Sequence, residues 1–173
     1  KLVWAGVAVV AIALLVLLPI AIWVAKVPIR KFIQAIREPV SIAFATTSSD
    51  SALPKALENM ERFGVPRKIV SFVIPTGYTF NLDGTTLYLS LASVFVAQAA
   101  GIHLSFGEQL IIGVTLMLTS KGVAAVPRAS LVILIATAST FHFPLWPIMA
   151  IYGIDELMDM ARTSVNVIGN TLA

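Results

Sequence analysis

A stripe of polar residues near the carboxy-terminal end of an otherwise apolar chain limits what this sequence can fold into. Its five members follow one another at spacings of four, three, four and four residues: Asp155, Asp159, Arg162, Asn166 and Asn170. Residues spaced in this way lie on one face of a helix. A structural ion pair is the simplest alternative, but it would not require Asn166 and Asn170 on the same face. The stripe therefore predicts a pathway or a binding site.

Composition indicates an integral membrane protein. Of the 173 residues, 58% are hydrophobic and 12% are charged, whereas about 25% of the residues of a soluble domain are charged. An uncharged run from Leu2 to Ala25 is long enough to span a bilayer and is not followed by a signal-peptide cleavage site. The absence of Cys excludes disulfides, thiol catalysis and Cys-ligated metal sites. Because there is no initiating Met and the polar stripe stops at Ala173, we expect part of a longer protein.

The basic residues predict the topology. Two basic clusters lie at 26–37 and 55–68, and the positive-inside rule places both in the cytoplasm. The segment between them should therefore enter the membrane and return as a re-entrant hairpin with its tip at Ser48–Pro54. The loops at 101–107 and 139–147 contain no Lys or Arg. A second hairpin, with its tip at Ser120–Pro127, should therefore enter from outside.

The two halves of the chain resemble each other. Each contains a Thr-Ser pair followed by a proline, at Pro54 and Pro127, and then a helix with an acidic centre. We therefore expect an all-α membrane protein built as an inverted repeat, in which each half is a re-entrant helical hairpin plus a broken transmembrane helix. The predicted units are a transmembrane helix at 1–27, a first repeat at 28–101 and a second repeat at 102–173.

The residue types at these places suit a cation and an acidic amino acid. The segment Asn81-Leu-Asp-Gly-Thr85 interrupts an apolar stretch and offers oxygen ligands to a cation. Helix ends at the two tips can present N–H groups to an anion. Arg162 can clamp a carboxylate, and Asp159, one turn away, can take an ammonium group. Asp155 can brace the Arg162 guanidinium from two turns away.

The sequence resembles the glutamate-transporter family, the dicarboxylate/amino acid:cation symporters. Four segments carry the resemblance, in the family's order: Thr47-Ser-Ser-Asp-Ser-Ala-Leu-Pro54, Pro75-Thr-Gly-Tyr-Thr-Phe-Asn-Leu-Asp-Gly-Thr85, Ser120-Lys-Gly-Val-Ala-Ala-Val-Pro127 and the stretch from Asp155 to Asn170. The resemblance implies the carboxy-terminal, substrate-binding part of a homotrimeric transporter of the cell (inner or plasma) membrane, without its amino-terminal trimerisation scaffold. It also implies an elevator-type movement, with the second hairpin as a gate.

The resemblance assigns roles to individual residues. The substrate would be bound by Ser48, Ser49, Thr85, Val126, Asp159, Arg162, Thr163 and Asn166. The coupling cation would be bound by Thr79, Asn81, Asp83 and Asn170, with Asp155 supporting Arg162 from behind. If that cation is sodium, its ligands would be Asn81, Asp83, Asn166 and Asn170. The gate would contain Ser120, Gly122, Pro127 and Arg128.

Departures from the family's pattern bear on the substrate and the cation. Dicarboxylate-specific members tend to have Ser where Asp159 stands, which favours glutamate or aspartate. Sodium-coupled members typically carry Asp at the position of Asn170 and Met at that of Leu82, so we expect coupling to protons, with sodium as the alternative. Arg128 stands where many members have Gly and can either pair with a gate or substrate carboxylate or point outward. Lys121 can either face water or take part in the coupling, and we expect it to face water.

The leading hypothesis is a symporter that imports L-glutamate and L-aspartate with protons, without an organic cofactor and without a role in nucleic-acid binding. A C4-dicarboxylate symporter is the closest alternative, and an ion channel is a remote one. An enzyme is not expected, because His103 and His142 lie outside the polar stripe and no base is evident for Ser48 or Ser120.

Overall fold

The computed structural model describes residues 26–121 and 128–173, together with positions 15, 16, 19, 20 and 23. The described residues are helical or irregular and contain no strand, which confirms the all-α prediction. Between 26 and 173 they form seven helices: α1 (Ile29–Thr46), α2 (Ser49–Phe63), α3 (Arg67–Phe80), α4 (Asp83–Ala99), α5 (Phe106–Thr119), α6 (Ala129–Thr140) and α7 (Trp146–Leu172). Apart from those five positions, the transmembrane helix predicted at Leu2–Ala25 lies outside the described residues.

Short polar segments separate the helices. Helix α3 ends at Phe80 and α4 begins at Asp83, so the predicted interruption consists of Asn81 and Leu82. The turn between α1 and α2 is shorter than the predicted tip at Ser48–Pro54, since only Thr47 and Ser48 are non-helical. The reason is a helix cap: the Ser48 side chain accepts a hydrogen bond from the Ser51 N–H at 3.4 Å, so α2 begins at once.

Helix α7 takes part in two separate hydrophobic cores. The first core joins α1, α2 and α3 to the end of α7 and includes Phe32 and Val167. The second core joins α4, α5 and α6 to the beginning of α7 and includes Leu134 and Ile151. Each predicted repeat therefore contributes to both cores, because α4 packs with α5 and α6 and the end of α7 packs with α1 to α3.

The surface of these helices carries many large apolar side chains. Phe72, Leu118, Val132 and Met149 are each at least 70% exposed. Helix α7 has 27 residues, which corresponds to about 40 Å at 1.5 Å per residue. Within the described part of the chain, no helix combines the length and the apolar character that crossing a membrane requires.

Candidate functional site

The polar stripe of α7 is buried along its whole length. Asp155, Asp159, Arg162, Asn166 and Asn170 are each at most 4% exposed. Helices α1 to α4 pack against α7 and cover this face. Buried polar and charged groups are costly unless they are paired. The partners of these five side chains therefore define the candidate site.

Asp159 accepts three hydrogen bonds and one further ion-pair contact from described residues. Its Oδ1 accepts from Arg162 Nε at 2.9 Å and from Thr163 Oγ1 at 3.1 Å, and Arg162 Nη2 lies 2.9 Å from the same oxygen. Its Oδ2 accepts from the backbone N–H of Arg128 at 2.7 Å. A carboxylate offers about four acceptor positions over its two oxygens. Since three of the donors converge on Oδ1, Oδ2 is the oxygen that can accept a further donor.

Arg162 lies between two carboxylates and an aromatic ring. Its Nη1 is 3.8 Å from Asp155 Oδ1, and the same Asp155 oxygen accepts a 2.6 Å hydrogen bond from the Tyr88 hydroxyl. The guanidinium carbon lies 4.7 Å from the centre of the Tyr88 ring. Tyr88 is absent from the sequence-based site, although its position three residues after Thr85 places it on the same face of α4.

Asn166 caps a helix other than its own. No side chain at the start of α4 caps it. Asn166 Oδ1 accepts instead from the backbone N–H groups of Gly84 at 2.8 Å and Thr85 at 3.4 Å, and its Nδ2 donates to Thr85 Oγ1 at 2.9 Å. Helix α7 thus satisfies N–H groups that the first turn of a helix leaves unpaired. A Cβ on Gly84 would collide with the carbonyl oxygen of Arg162, so the two helices approach closely here.

A second polar cluster, the Asn81–Asp83–Asn170 cluster, lies at the interruption between α3 and α4. With its amide nitrogen towards Asp83, Asn81 donates to both carboxylate oxygens at 2.9 Å. In this orientation the Asn81 amide oxygen lies 3.0 Å from Asn170 Oδ1. Thr79, also predicted to bind the cation, is exposed. Asn166 is engaged at the start of α4. The described residues contain no group of three His, Cys, Asp or Glu side chains close enough for a metal ion.

The two residues that follow α5, Ser120 and Lys121, contact the region where α3 ends and α4 begins. Ser120 Oγ lies 3.3 Å from Thr86 Oγ1. The Lys121 ammonium donates to the carbonyl oxygen of Phe80, the last residue of α3. The carbonyls and the negative dipole end of α3 attract the charge of Lys121, which is half-buried, and its facing water stays a prediction. Gly122, Val126 and Pro127 lie outside the described residues.

Arg128 pairs with a carboxylate that the sequence analysis did not single out. Its Nε donates to Glu156 Oε2 at 2.9 Å, and its Nη2 lies 2.8 Å from the same oxygen. Its guanidinium carbon lies 4.8 Å from the centre of the Tyr152 ring. Of the predicted substrate residues in the turn between α1 and α2, Ser49 is buried and Ser48 caps α2.

Curated relatives of this chain are bacterial transport proteins. A proton/sodium-glutamate symport protein of Geobacillus stearothermophilus is 51% identical over 141 residues, which is 82% of this chain and 34% of that protein. A proton/glutamate-aspartate symporter of Escherichia coli (strain K12) is 50% identical over 141 residues, 82% of this chain and 32% of that protein. C4-dicarboxylate transport protein 1 of Bradyrhizobium diazoefficiens is 47% identical over 146 residues, 84% of this chain and 33% of that protein.

The chain spans about a third of the length of these curated relatives. The sequence model of the sodium:dicarboxylate symporter family, a family of transporters and not of enzymes, matches residues 1–173. A match of this extent covers both the α3–α4 interruption and the polar stripe of α7. The chain belongs to the sodium:dicarboxylate symporter family.

Proposed function

We propose that this chain forms the substrate- and cation-binding part of a symporter that imports L-glutamate and L-aspartate together with protons, with sodium as the alternative coupling cation. The buried Asp159–Arg162 pair carries the proposal. It combines an acceptor for an ammonium group with a donor for a carboxylate, one helical turn apart. An acidic amino acid presents both groups. Two relatives of this chain are named as symporters of glutamate or of glutamate and aspartate.

Unused hydrogen-bonding capacity at the pair supports this assignment. Among the described residues, buried Arg162 Nη1 and Asp155 Oδ2 have no hydrogen-bond partner. Buried polar atoms are rarely left without a partner, so such atoms require an explanation. In our proposal Arg162 Nη1 donates to the side-chain carboxylate of the substrate, and Asp159 Oδ2 accepts from its ammonium group. Thr85, Thr163 and Asn166 line the same site, and Ser48, Ser49 and Val126 receive the second carboxylate.

Charge balance favours coupling to a cation. The buried charged side chains of the described residues are Asp155, Asp159 and Arg162, two negative and one positive. An acidic amino acid has two carboxylates and one ammonium group, so it adds one further negative charge. Uncompensated charges are costly in a buried site. We therefore propose that a cation or proton accompanies the substrate, with Asn81, Asp83 and Asn170 as the groups that hold it.

The same proposal extends to the architecture and the surroundings. The exposed apolar side chains of α3, α5, α6 and α7 suit a bilayer or further transmembrane helices. We propose a plasma-membrane protein built from a transmembrane helix at 1–27 and inverted repeats at 28–101 and 102–173. A homotrimer would form through a scaffold that this chain does not contribute. The site would then move across the membrane in an elevator-type cycle.

Uptake measurements in liposomes test this function. The full-length protein would be reconstituted, and uptake of labelled L-aspartate would be followed under a pH gradient without sodium and then under a sodium gradient at equal pH. Uptake driven by the pH gradient alone supports proton coupling, and a strict sodium requirement assigns the coupling to sodium. Steady conductance without substrate and without stoichiometric uptake would contradict a symporter.

A C4-dicarboxylate symporter is the second candidate, because one relative is a C4-dicarboxylate transport protein. Asp159 distinguishes the two functions, since a dicarboxylate has no ammonium group for it to bind. We expect Asp159→Ser to raise the KM for aspartate and to shift uptake towards succinate. Asp159→Asn, which keeps the size of the side chain but removes its charge, should act in the same direction. Unchanged aspartate selectivity in both variants would contradict the role of Asp159.

A further inference from the structure

Arg128 joins the beginning of α6 to three residues of α7. Its backbone N–H donates to Asp159 Oδ2 at 2.7 Å. Its guanidinium binds Glu156 through contacts of 2.9 and 2.8 Å and lies over the Tyr152 ring at 4.8 Å. The main chain of Arg128 thus contacts the polar stripe, while its side chain extends away from Asp159 and is neutralised by Glu156.

The backbone at Arg128 makes this arrangement unexpected for an arginine. Its φ is 62°, in the left-handed region that Gly adopts freely and that Asn tolerates better than most other residues. A residue with a large side chain is unfavourable there. The contacts that distinguish Arg128 from a glycine are those of its guanidinium with Glu156 and Tyr152.

We propose that Glu156 is a positioning residue for substrate recognition: by binding the Arg128 guanidinium, it keeps a competing positive charge away from the Asp159 carboxylate. The inference rests on the proposed function, in which Asp159 binds the substrate ammonium. Without Glu156, the guanidinium is free to turn towards the other carboxylates of α7 near it, which are Asp155 and Asp159. The guanidinium would then compete with the ammonium group of the substrate.

The competing charge should change the KM for aspartate but not that for succinate, whereas loss of a merely structural ion pair should affect both. We expect Glu156→Gln to raise the KM for aspartate about two- to fivefold, the size expected for a partly exposed charge pair. The KM for succinate, which has no ammonium group, should not rise. Arg128→Asn keeps the backbone N–H and tolerates the left-handed conformation.

The double variant Arg128→Asn/Glu156→Gln is the decisive one. It removes both charges and keeps the N–H on Asp159, so its KM for aspartate should return to about the wild-type value. If Glu156 only supported the structure, the double variant would be at least as impaired as Glu156→Gln. That result would overturn the proposal.

A second readout does not depend on the transported substrate. Ser130, in the first turn of α6, is 1% exposed, and the chain contains no Cys. In full-length protein without other cysteines, Ser130→Cys should react slowly with a maleimide. Adding Glu156→Gln should leave the labelling slow, because the Arg128 N–H still binds Asp159 and holds the start of α6 against α7. Faster labelling without Glu156 would show that Glu156 only holds α6 in place and would overturn the proposal. Failure of the wild type to import either substrate would instead refute the proposed function, and the labelling rates would still decide the role of Glu156.

Discussion

Replacing Gly84 by Ala tests the close approach between α4 and α7. The added Cβ would overlap the carbonyl oxygen of Arg162 and would lie 3.0 Å from the α-carbon of Arg162 and 3.1 Å from its carbonyl carbon. These are backbone atoms of a helix, so no side-chain rotation can relieve the overlap. Restoring an ordinary van der Waals distance of 3.4 Å to that α-carbon alone takes a separation of about 0.4 Å, and the closer carbonyl oxygen requires more, so 0.4 Å is a lower limit.

That separation would weaken the cap that α7 provides to α4. The hydrogen bond from the Thr85 N–H to Asn166 Oδ1 is already 3.4 Å long and would be lost, and the 2.8 Å bond from the Gly84 N–H would lengthen. Overpacking typically costs about 1–3 kcal/mol, and a lost hydrogen bond costs about 0.5–1.5 kcal/mol. We therefore expect the free energy of unfolding to fall by about 2–4 kcal/mol.

Thermal unfolding of the purified full-length protein in detergent measures this effect. The matched control is Gly153→Ala, in α7, where an added Cβ would meet no atom within 4 Å. An alanine there should be neutral or stabilise the helix by up to about 1 kcal/mol. Because Gly84 contacts the backbone of Arg162, Gly84→Ala should also raise the KM for substrate, whereas the control should not. If Gly84→Ala matched the control in both Tm and KM, the inferred close approach of the two helices would be refuted.

Two further substitutions test the surroundings of the site. Tyr88→Phe removes the 2.6 Å hydrogen bond to Asp155. We expect the free energy of unfolding to fall by about 1.5–3 kcal/mol, as is typical for a bond to a charged group, and the KM for substrate to rise. Tyr78→Phe, whose buried hydroxyl has no hydrogen-bond partner among the described residues, is the control and should leave both values near wild type. Ser105→Ala removes the cap of α5, in which the Ser105 Oγ accepts a hydrogen bond from the Glu108 N–H at 3.3 Å. We expect the free energy of unfolding to fall by about 1 kcal/mol, with a lower Tm and an unchanged KM.

The sequence predicts the buried face of α7 correctly for a physical reason. Polar residues at spacings of three and four within an apolar chain can share one face only in a helix, and a polar face among apolar surroundings must find partners. The interruption at Asn81 and Leu82 could be predicted because Asn, Asp and Gly occur together in an otherwise apolar stretch.

The partners of that face could not be predicted. Helical spacing assigns a residue to a face but does not tell which other helix lies opposite, so the cap from Asn166 to the start of α4 is visible only in the fold. Glu156 lies beside the stripe and not on it, and its partner Arg128 is 28 positions away in the chain. The extent of the first turn was mispredicted because the cap from Ser48 allows helix α2 to begin directly after it.

Helix α7 connects two bodies that have no other shared helix among the described residues. Its beginning is part of the core of α4 to α6, and its end is part of the core of α1 to α3. Separating the two bodies would expose one buried end of α7 to solvent or lipid. In the elevator-type cycle proposed above, α7 would therefore move with the residues of both cores. In that cycle, the exposed apolar side chains of these helices would form the surface that slides.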